Sequence, residues 1–192
     1  MISLAIFASG NGSNAQAMID YFAGHSLVEV ALIVSDNPQA YVLERARLAA
    51  IPAITLSQEV WRSGTQLVHL MQHHRIHCIV LAGYLKLIPA ELVRAYPRRI
   101  LNIHPALLPK YGGKGMYGAR VHQAVIEAGE RESGISIHYV NERYDEGELI
   151  TQQRLEILPG WTATDLQQAI HALEHRWYPP TVEKICTAFN KI

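Results

Sequence analysis

A three-layer α/β/α domain on a mostly parallel, Rossmann-type sheet is the architecture this sequence predicts, and three observations predict it. Apolar runs with the length of buried strands recur at residues 2–8, 28–35, 78–82 and from Ile100 onward. Stretches with helical spacing separate them, and such alternation is satisfied by parallel strands covered on both faces. The first strand also passes through a glycine-rich loop straight into a helix. At 192 residues the chain suffices for one sizeable core and is short for two, so a single domain, 1–192, is expected.

Composition narrows the function classes. Lys plus Arg equals Asp plus Glu, 17 each, so no net field draws nucleic acid or a membrane surface, and neither is an expected partner. An anionic substrate must then be held by a local site. Cys78 and Cys186 stand alone in apolar patterns, which is no disulfide framework and suits a reducing, cytoplasmic setting. A strand pattern follows Met1 at once without a basic leader, and no apolar run has membrane-spanning length, so neither export nor insertion is expected.

Taken in order, residues 2–8 form the first buried strand. Ser9-Gly10-Asn-Gly12-Ser13-Asn14 follows, and a helix over 15–22 carries Met18, Ile19 and Phe22 on one face. Glycines let backbone amides approach an anion, and a helix start leaves N–H groups unpaired, so strand, loop and helix make an anion site. Ser13 and Asn14 suit the N-cap or direct phosphate contact. The same residues spell Gly10-x-Gly12-x-x-Ala15, a variant dinucleotide fingerprint, and the second strand (28–35) ends at Asp36, where a ribose-binding acid would stand. A nicotinamide oxidoreductase is therefore a rival, although Asp36-Asn-Pro38 also reads as a turn.

A helix over 41–50, a brief strand at 53–56 and a helix over 64–74 come next. The strand at 78–82 leaves at Gly83, and a short helix covers 89–96. After the strand from Ile100, a glycine-rich loop, Gly112-Gly-Lys-Gly-Met-Tyr-Gly118, leads into a helix over 119–128 bearing His122. Residues 133–140 alternate as a strand, 141–147 form an acidic loop, and 149–158 form a long outer strand. Thr162 or Thr164 caps a helix to Trp177. Pro179-Pro180 is expected to break it before a last segment to Phe189.

The chain is organised around Ile100-Leu-Asn102-Ile-His104-Pro105. Side chains two apart on a strand share a face, so Asn102 and His104 project together while Leu101 and Ile103 pack the other way. Pro105 holds His104 on extended backbone where the strand stops. An amide that can donate to an oxyanion stands beside an imidazole that exchanges protons near neutral pH, at the sheet edge where such folds bind ligands. The alternative is a strand end whose polar groups satisfy a turn.

Asn102-Ile-His104-Pro-Ala-Leu-Leu-Pro-Lys-Tyr111 resembles the signature of the folate-dependent formyltransferase family. With the Gly-Asn-Gly-Ser-Asn loop and Tyr144-Asp145-Glu146-Gly147, the resemblance runs in the family's order from Ile2 to about Pro179. It implies a formyltransferase-like fold and transfer of a formyl group from the co-substrate 10-formyltetrahydrofolate to the amine of 5-phosphoribosylglycinamide in purine synthesis, without a metal. It implies that Asn102 and His104 are oxyanion donors, and that Asp145 holds His104 protonated and relays protons through water. Gly12, Ser13 and Asn14 would hold the ribonucleotide phosphate, and Glu174 would reach the glycinamide end. Leu85, Lys86, Leu87 and Ile88 would line the folate pocket with Asn102, and Arg62 would meet the folate's acidic tail. Tyr84 and Lys86 replace a commoner Phe and Arg, Ala106 replaces serine, and the loop with Lys114 at its tip is longer than in the family's shorter versions. His122 matches a family histidine that flanks substrate or supports structure.

Relatives that act on methionyl-tRNA or hydrolyse formyltetrahydrofolate are rivals, as is a nucleotide-binding module without catalysis. His171-Ala-Leu-Glu174-His175 also spells a zinc-protease string, but without an evident third ligand it reads as helix-surface histidines. His73, His74 and His77 read the same way. Monomer and homodimer both remain open.

Overall fold

The computed structural model describes residues 1–188. Its strands are β1 (Ile2–Phe7), β2 (Val28–Ser35), β3 (Ala53–Thr55), β4 (Cys78–Leu81), β5 (Ile100–His104), β6 (Glu132–Tyr139) and β7 (Leu149–Glu156). Its helices are α1 (Ser13–Phe22), α2 (Val42–Leu48), α3 (Gln58–Arg62), α4 (Gly64–His73), α5 (Ala90–Ala95), α6 (Ala119–Glu127) and α7 (Ala163–Ala188). They build one seven-stranded sheet in the order β3-β2-β1-β4-β5-β6-β7. The pairs from β3 to β5 are parallel, and β6 and β7 add antiparallel at one edge. This is the mostly parallel α/β sheet the sequence predicts, with β7 outermost as expected.

Both faces of the central strands are buried, which explains why they read as unbroken apolar runs. Leu4 and Ile6 of β1 join Met18, Val121, Leu166 and Ile170 in one core, beneath α1, α6 and α7. Ala5 and Phe7, one residue out of phase, join Leu67, Met71 and Leu92 in the other, beneath α4 and α5. Strand order reverses between β1 and β4, because β1 is followed by β2 on one side and joined by β4 on the other. Ligands in open α/β sheets sit at the carboxyl ends of strands at such a switch point.

Two local expectations need correction. The five-residue α3 was not expected; Ser57 Oγ accepts from Val60 N–H at 3.2 Å and starts it. More consequentially, Pro179 and Pro180 do not break the last helix, which runs through them. Each proline removes a backbone donor, but Thr181 Oγ donates to the Trp177 carbonyl at 2.7 Å. Tyr178, Val182 and Cys186, fully buried on either side, secure the helix by packing. Tyr178 also places its hydroxyl 3.0 Å from the Leu81 carbonyl and 3.1 Å from that of Leu101, tying α7 to the ends of β4 and β5. Thr162 supplies the N-terminal cap: its Oγ accepts from Asp165 N–H, and the Asp165 carboxylate accepts from Thr162 N–H at 2.8 Å. Phe189, at the expected end of the last segment, lies outside the described residues.

Candidate active site

A cleft of about 590 Å³ opens at the switch point, between the loops that follow β1, β4 and β5. Its walls carry Gly10 to Asn14, Gly83 to Leu85, the Asn102–Pro105 strand end, the glycine-rich loop from Gly113 to Gly118, Asp145, and Gln167, His171 and Glu174 of α7. Of the residues singled out in the sequence, Gly12, Ser13, Asn14, Leu85, Asn102, His104, Asp145 and Glu174 all meet there. Lys86, Leu87, Ile88 and Arg62 are not among its lining residues. Ile88 is buried in the α4–α5 core. Lys86 pairs with Asp36 at 3.3 Å and lies over the Trp61 ring, while Leu87 is exposed. Arg62 sits on α3 in a separate shallow depression with Gln58, Glu59 and Ser63.

The loop after β1 has the form of an anion cradle. Gly12 has φ 73°, and a Cβ there would lie 2.6 Å from Val42 Cβ, so only glycine lets the loop press against α2. Gly12 is itself the N-cap of α1 and no side chain caps it, contrary to the expectation for Ser13 or Asn14. The physical reason is that the cap position falls on glycine, which has no side chain to accept, while Asn14 Nδ2 donates to Glu174 Oε2 at 2.8 Å. The first-turn N–H groups are thereby left to a ligand. Glu174 is 5% exposed. Burial pushes its carboxyl up to about 7, and the Asn14 bond offsets this only in part.

The second centre forms where β5 meets β6. Antiparallel register sets Asn102 opposite His138 and His104 opposite Ser136. Asp145 returns to them from the loop before β7, with its Oδ2 3.5 Å from His104 Nδ1 and its Oδ1 3.7 Å from His138 Nε2. Gly147 makes that return possible, because a Cβ there would sit 1.6 Å from the Tyr139 carbonyl oxygen. Gly113 N–H donates to Asp145 Oδ2 at 2.9 Å, so the glycine-rich loop is fastened to the centre. Burial raises the Asp145 carboxyl, but His138, His104 and the Gly113 N–H together carry it below its ordinary value, so it is ionised. Asp145 and Tyr111 both adopt left-handed backbone, at φ 56° and 55°, and both face His104. Strained backbone gathered around one imidazole is a feature of functional sites.

Two influences oppose each other at His104. Burial lowers its pKa, and although Asp145 and a bond to Tyr111 raise it, burial wins. The ring is 4% exposed, and its Nε2–H donates to the Tyr111 carbonyl at 2.7 Å, which leaves Nδ1 towards Asp145. Asn102 is also engaged: its Nδ2 lies 3.0 Å from His138 Nε2 and 3.3 Å from Asp145 Oδ1. His138 was missed in the sequence. Alternation with Ser136 puts it on the strand face opposite Ile135 and Ile137, but only the antiparallel register sets it against Asn102.

Three further histidines, His122, His171 and His175, lie on α6 and α7. His122 is buried, its Nδ1 has no hydrogen-bond partner, and burial followed by His171 and His104 pushes it down to about 4. The His171 and His175 rings stack 6.3 Å apart. Among the described residues no three His, Cys, Asp or Glu side chains are placed to hold a metal ion.

Fold and cleft together define an α/β enzyme whose cleft at the strand ends brings a glycine-rich loop and helix start together with the Asn102/His104/Asp145 cluster. The chain belongs to the formyl transferase family, whose model matches residues 2–182. It is 36% identical over 196 residues to the phosphoribosylglycinamide formyltransferase of Bacillus subtilis, covering 100% of this chain and 98% of that one. It is 41% identical to the chloroplastic phosphoribosylglycinamide formyltransferase of Arabidopsis thaliana, covering 95% of this chain but spanning 65% of the plant protein's length. The crystal structure of glycinamide ribonucleotide transformylase 1 from Symbiobacterium toebii superposes with a TM-score of 0.89 at 34% identity, covering 98% of this chain and 89% of that one.

Proposed function

We propose that this enzyme transfers the formyl group of 10-formyltetrahydrofolate to the amine of 5-phosphoribosylglycinamide, a step of purine synthesis. The observation that carries the reading is the single cleft joining the Gly10–Asn14 amides, the buried Glu174 and the Asn102/His104/Asp145 centre. A phosphate held at the first leaves an amine near Glu174, whose ionised form a cationic or polar amine favours. The folate would enter past Gly83 to Leu85, with Arg62, Lys86 and Leu87 along its outer approach and Ile88 held in the core behind them.

The chemistry needs no covalent enzyme intermediate. The neutral amine attacks the formyl carbon, and the tetrahedral intermediate carries an oxyanion and an ammonium. His104, whose pKa burial lowers, takes the ammonium proton, and Asp145 beside it stabilises the imidazolium that results. The proton then passes to the leaving folate nitrogen. Asn102 donates to the oxyanion by giving up its longer bond, the 3.3 Å contact with Asp145. Approximation of the substrates contributes about 7–11 kcal/mol at best, and one oxyanion donor roughly 3–4 kcal/mol.

The same reading takes 1–192 as one domain in the cytoplasm, monomeric or homodimeric, with these two small molecules as partners. No helix of the described residues is long and apolar enough to cross a membrane. The test is incubation with 10-formyltetrahydrofolate, with and without 5-phosphoribosylglycinamide, following both folate and formylated product. Formylated ribonucleotide supports the proposal. Formate released into water alone would mark a hydrolase, and binding without turnover a nucleotide-binding module.

A further inference from the structure

The anion cradle is held from behind by one cation. Arg45 projects from α2, half-buried, and its guanidinium donates three hydrogen bonds. Nε–H donates to the Asn11 carbonyl at 2.8 Å, Nη2 to Asn11 Oδ1 at 2.7 Å, and Nη1 to Gln16 Oε1 at 3.2 Å. One residue earlier in the loop, Val42 N–H donates to the Gly10 carbonyl at 3.2 Å. Helix α2 thus takes hold of two consecutive loop carbonyls.

That grip fixes the other side of the loop. In a trans peptide the carbonyl and the N–H point in opposite directions. With the Gly10 and Asn11 carbonyls drawn towards α2, the N–H groups of Asn11 and Gly12 in those same peptide units turn away from it, towards the cleft that both residues line. Among the described residues neither N–H is paired with an acceptor. A cation bonded to a carbonyl also polarises its peptide and strengthens the N–H as a donor. The charge is felt locally: after burial, Arg45 is what lowers the pKa of His175 on α7. None of the residues from Gly10 to Asn14 is basic, and among the described residues Arg45 is the cation hydrogen-bonded to this loop.

We propose that Arg45 is a positioning residue that sets phosphate affinity by orienting and polarising the Asn11 and Gly12 amides, without touching the ligand. This rests on the ribonucleotide reading above, and inorganic phosphate separates the two. The experiment compares wild type, Arg45→Met and Arg45→Lys. ¹⁵N-resolved NMR of the Asn11 and Gly12 amides during a phosphate titration gives binding, and steady-state kinetics give both KM values and kcat. Arg45→Met should weaken phosphate at least tenfold and raise the ribonucleotide KM by a similar factor. kcat at saturation and the folate KM should stay within twofold. Arg45→Lys keeps the charge but not the paired donors, and should fall between.

Phosphate binding equal in all three proteins would overturn the proposal, as would wild type whose Asn11 and Gly12 amides do not respond. A loss shared equally by kcat and both KM values would show a merely structural role. If Arg45→Met does not fold, the Arg45→Lys titration decides alone, and wild-type affinity there counts against the paired grip. Amides that respond to phosphate in a protein that does not formylate the ribonucleotide would leave Arg45 supported and refute the proposed activity.

Discussion

Replacing Glu174 by glutamine should make the protein more stable and less active, with the stability gain confined to one pH range. The side chain is 5% exposed, and its carboxyl is pushed up to about 7 from an ordinary 4.5. Below 4.5 folded and unfolded chains both hold this proton. Between 4.5 and about 7 the unfolded chain releases it while the folded chain keeps it, so the wild type loses stability as pH rises through that window. At roughly 1.4 kcal/mol per pH unit the full loss is about 3 kcal/mol. Glutamine keeps the shape and an oxygen for Asn14 Nδ2 but carries no charge. Urea unfolding should therefore show Glu174→Gln more stable than wild type by about 3 kcal/mol at pH 8, a Tm gain of roughly 6–12 °C. The difference should shrink to under about 1 kcal/mol near pH 5. The KM for the amine substrate should rise in the same variant. A stability difference that is the same at pH 5 and pH 8 would refute the assignment of an uncompensated buried carboxyl.

Three further outcomes are expected. Asp145→Asn removes a charge that raises the His104 pKa, so the His104 NMR titration should move further down and kcat should fall by roughly 10² or more with little change in substrate KM; an unmoved titration would break the pairing. Gly12→Val forces a side chain onto Val42 at φ 73°, so the ribonucleotide KM should rise while the folate KM holds, and equal losses would mark the loop as structural. Tight nicotinamide dinucleotide binding in the wild type, lost in that variant, would revive the oxidoreductase reading. Exhaustive chelation should leave turnover intact, and zinc-dependent recovery would bring His171, Glu174 and His175 back as ligands.

What could be read from the sequence followed from local periodicity. Asn102 and His104 were visible because alternation on a strand puts two polar groups on one face, and Pro105 marks where the strand stops. Asp145 was not visible that way and came from its motif, since 43 residues separate it from Asn102. His138 escaped because its place depends on antiparallel register, which no local pattern encodes. At His104 the nearby carboxylate was foreseeable from the motif, while the burial that opposes it depends on packing that no local pattern encodes. Pro179-Pro180 misled because local preference stops helices at proline, and burial of Tyr178, Val182 and Cys186 overrode it. Arg45 gave no signal at all, because a lone arginine on a short helix says nothing of the carbonyls it meets.

The tie from Tyr178 to Leu81 and Leu101 has a consequence for how the protein is made. Those bonds close over sequence gaps of 97 and 77 residues. At about 5–20 residues per second, a ribosome that has finished β5 takes roughly 4–15 s more to deliver Tyr178. Until then β4 and β5 have no α7 to cover their apolar face, and Asn14 has no Glu174 to hold. The N-terminal strands can pair in that interval, but the cleft is finished last, by the final helix.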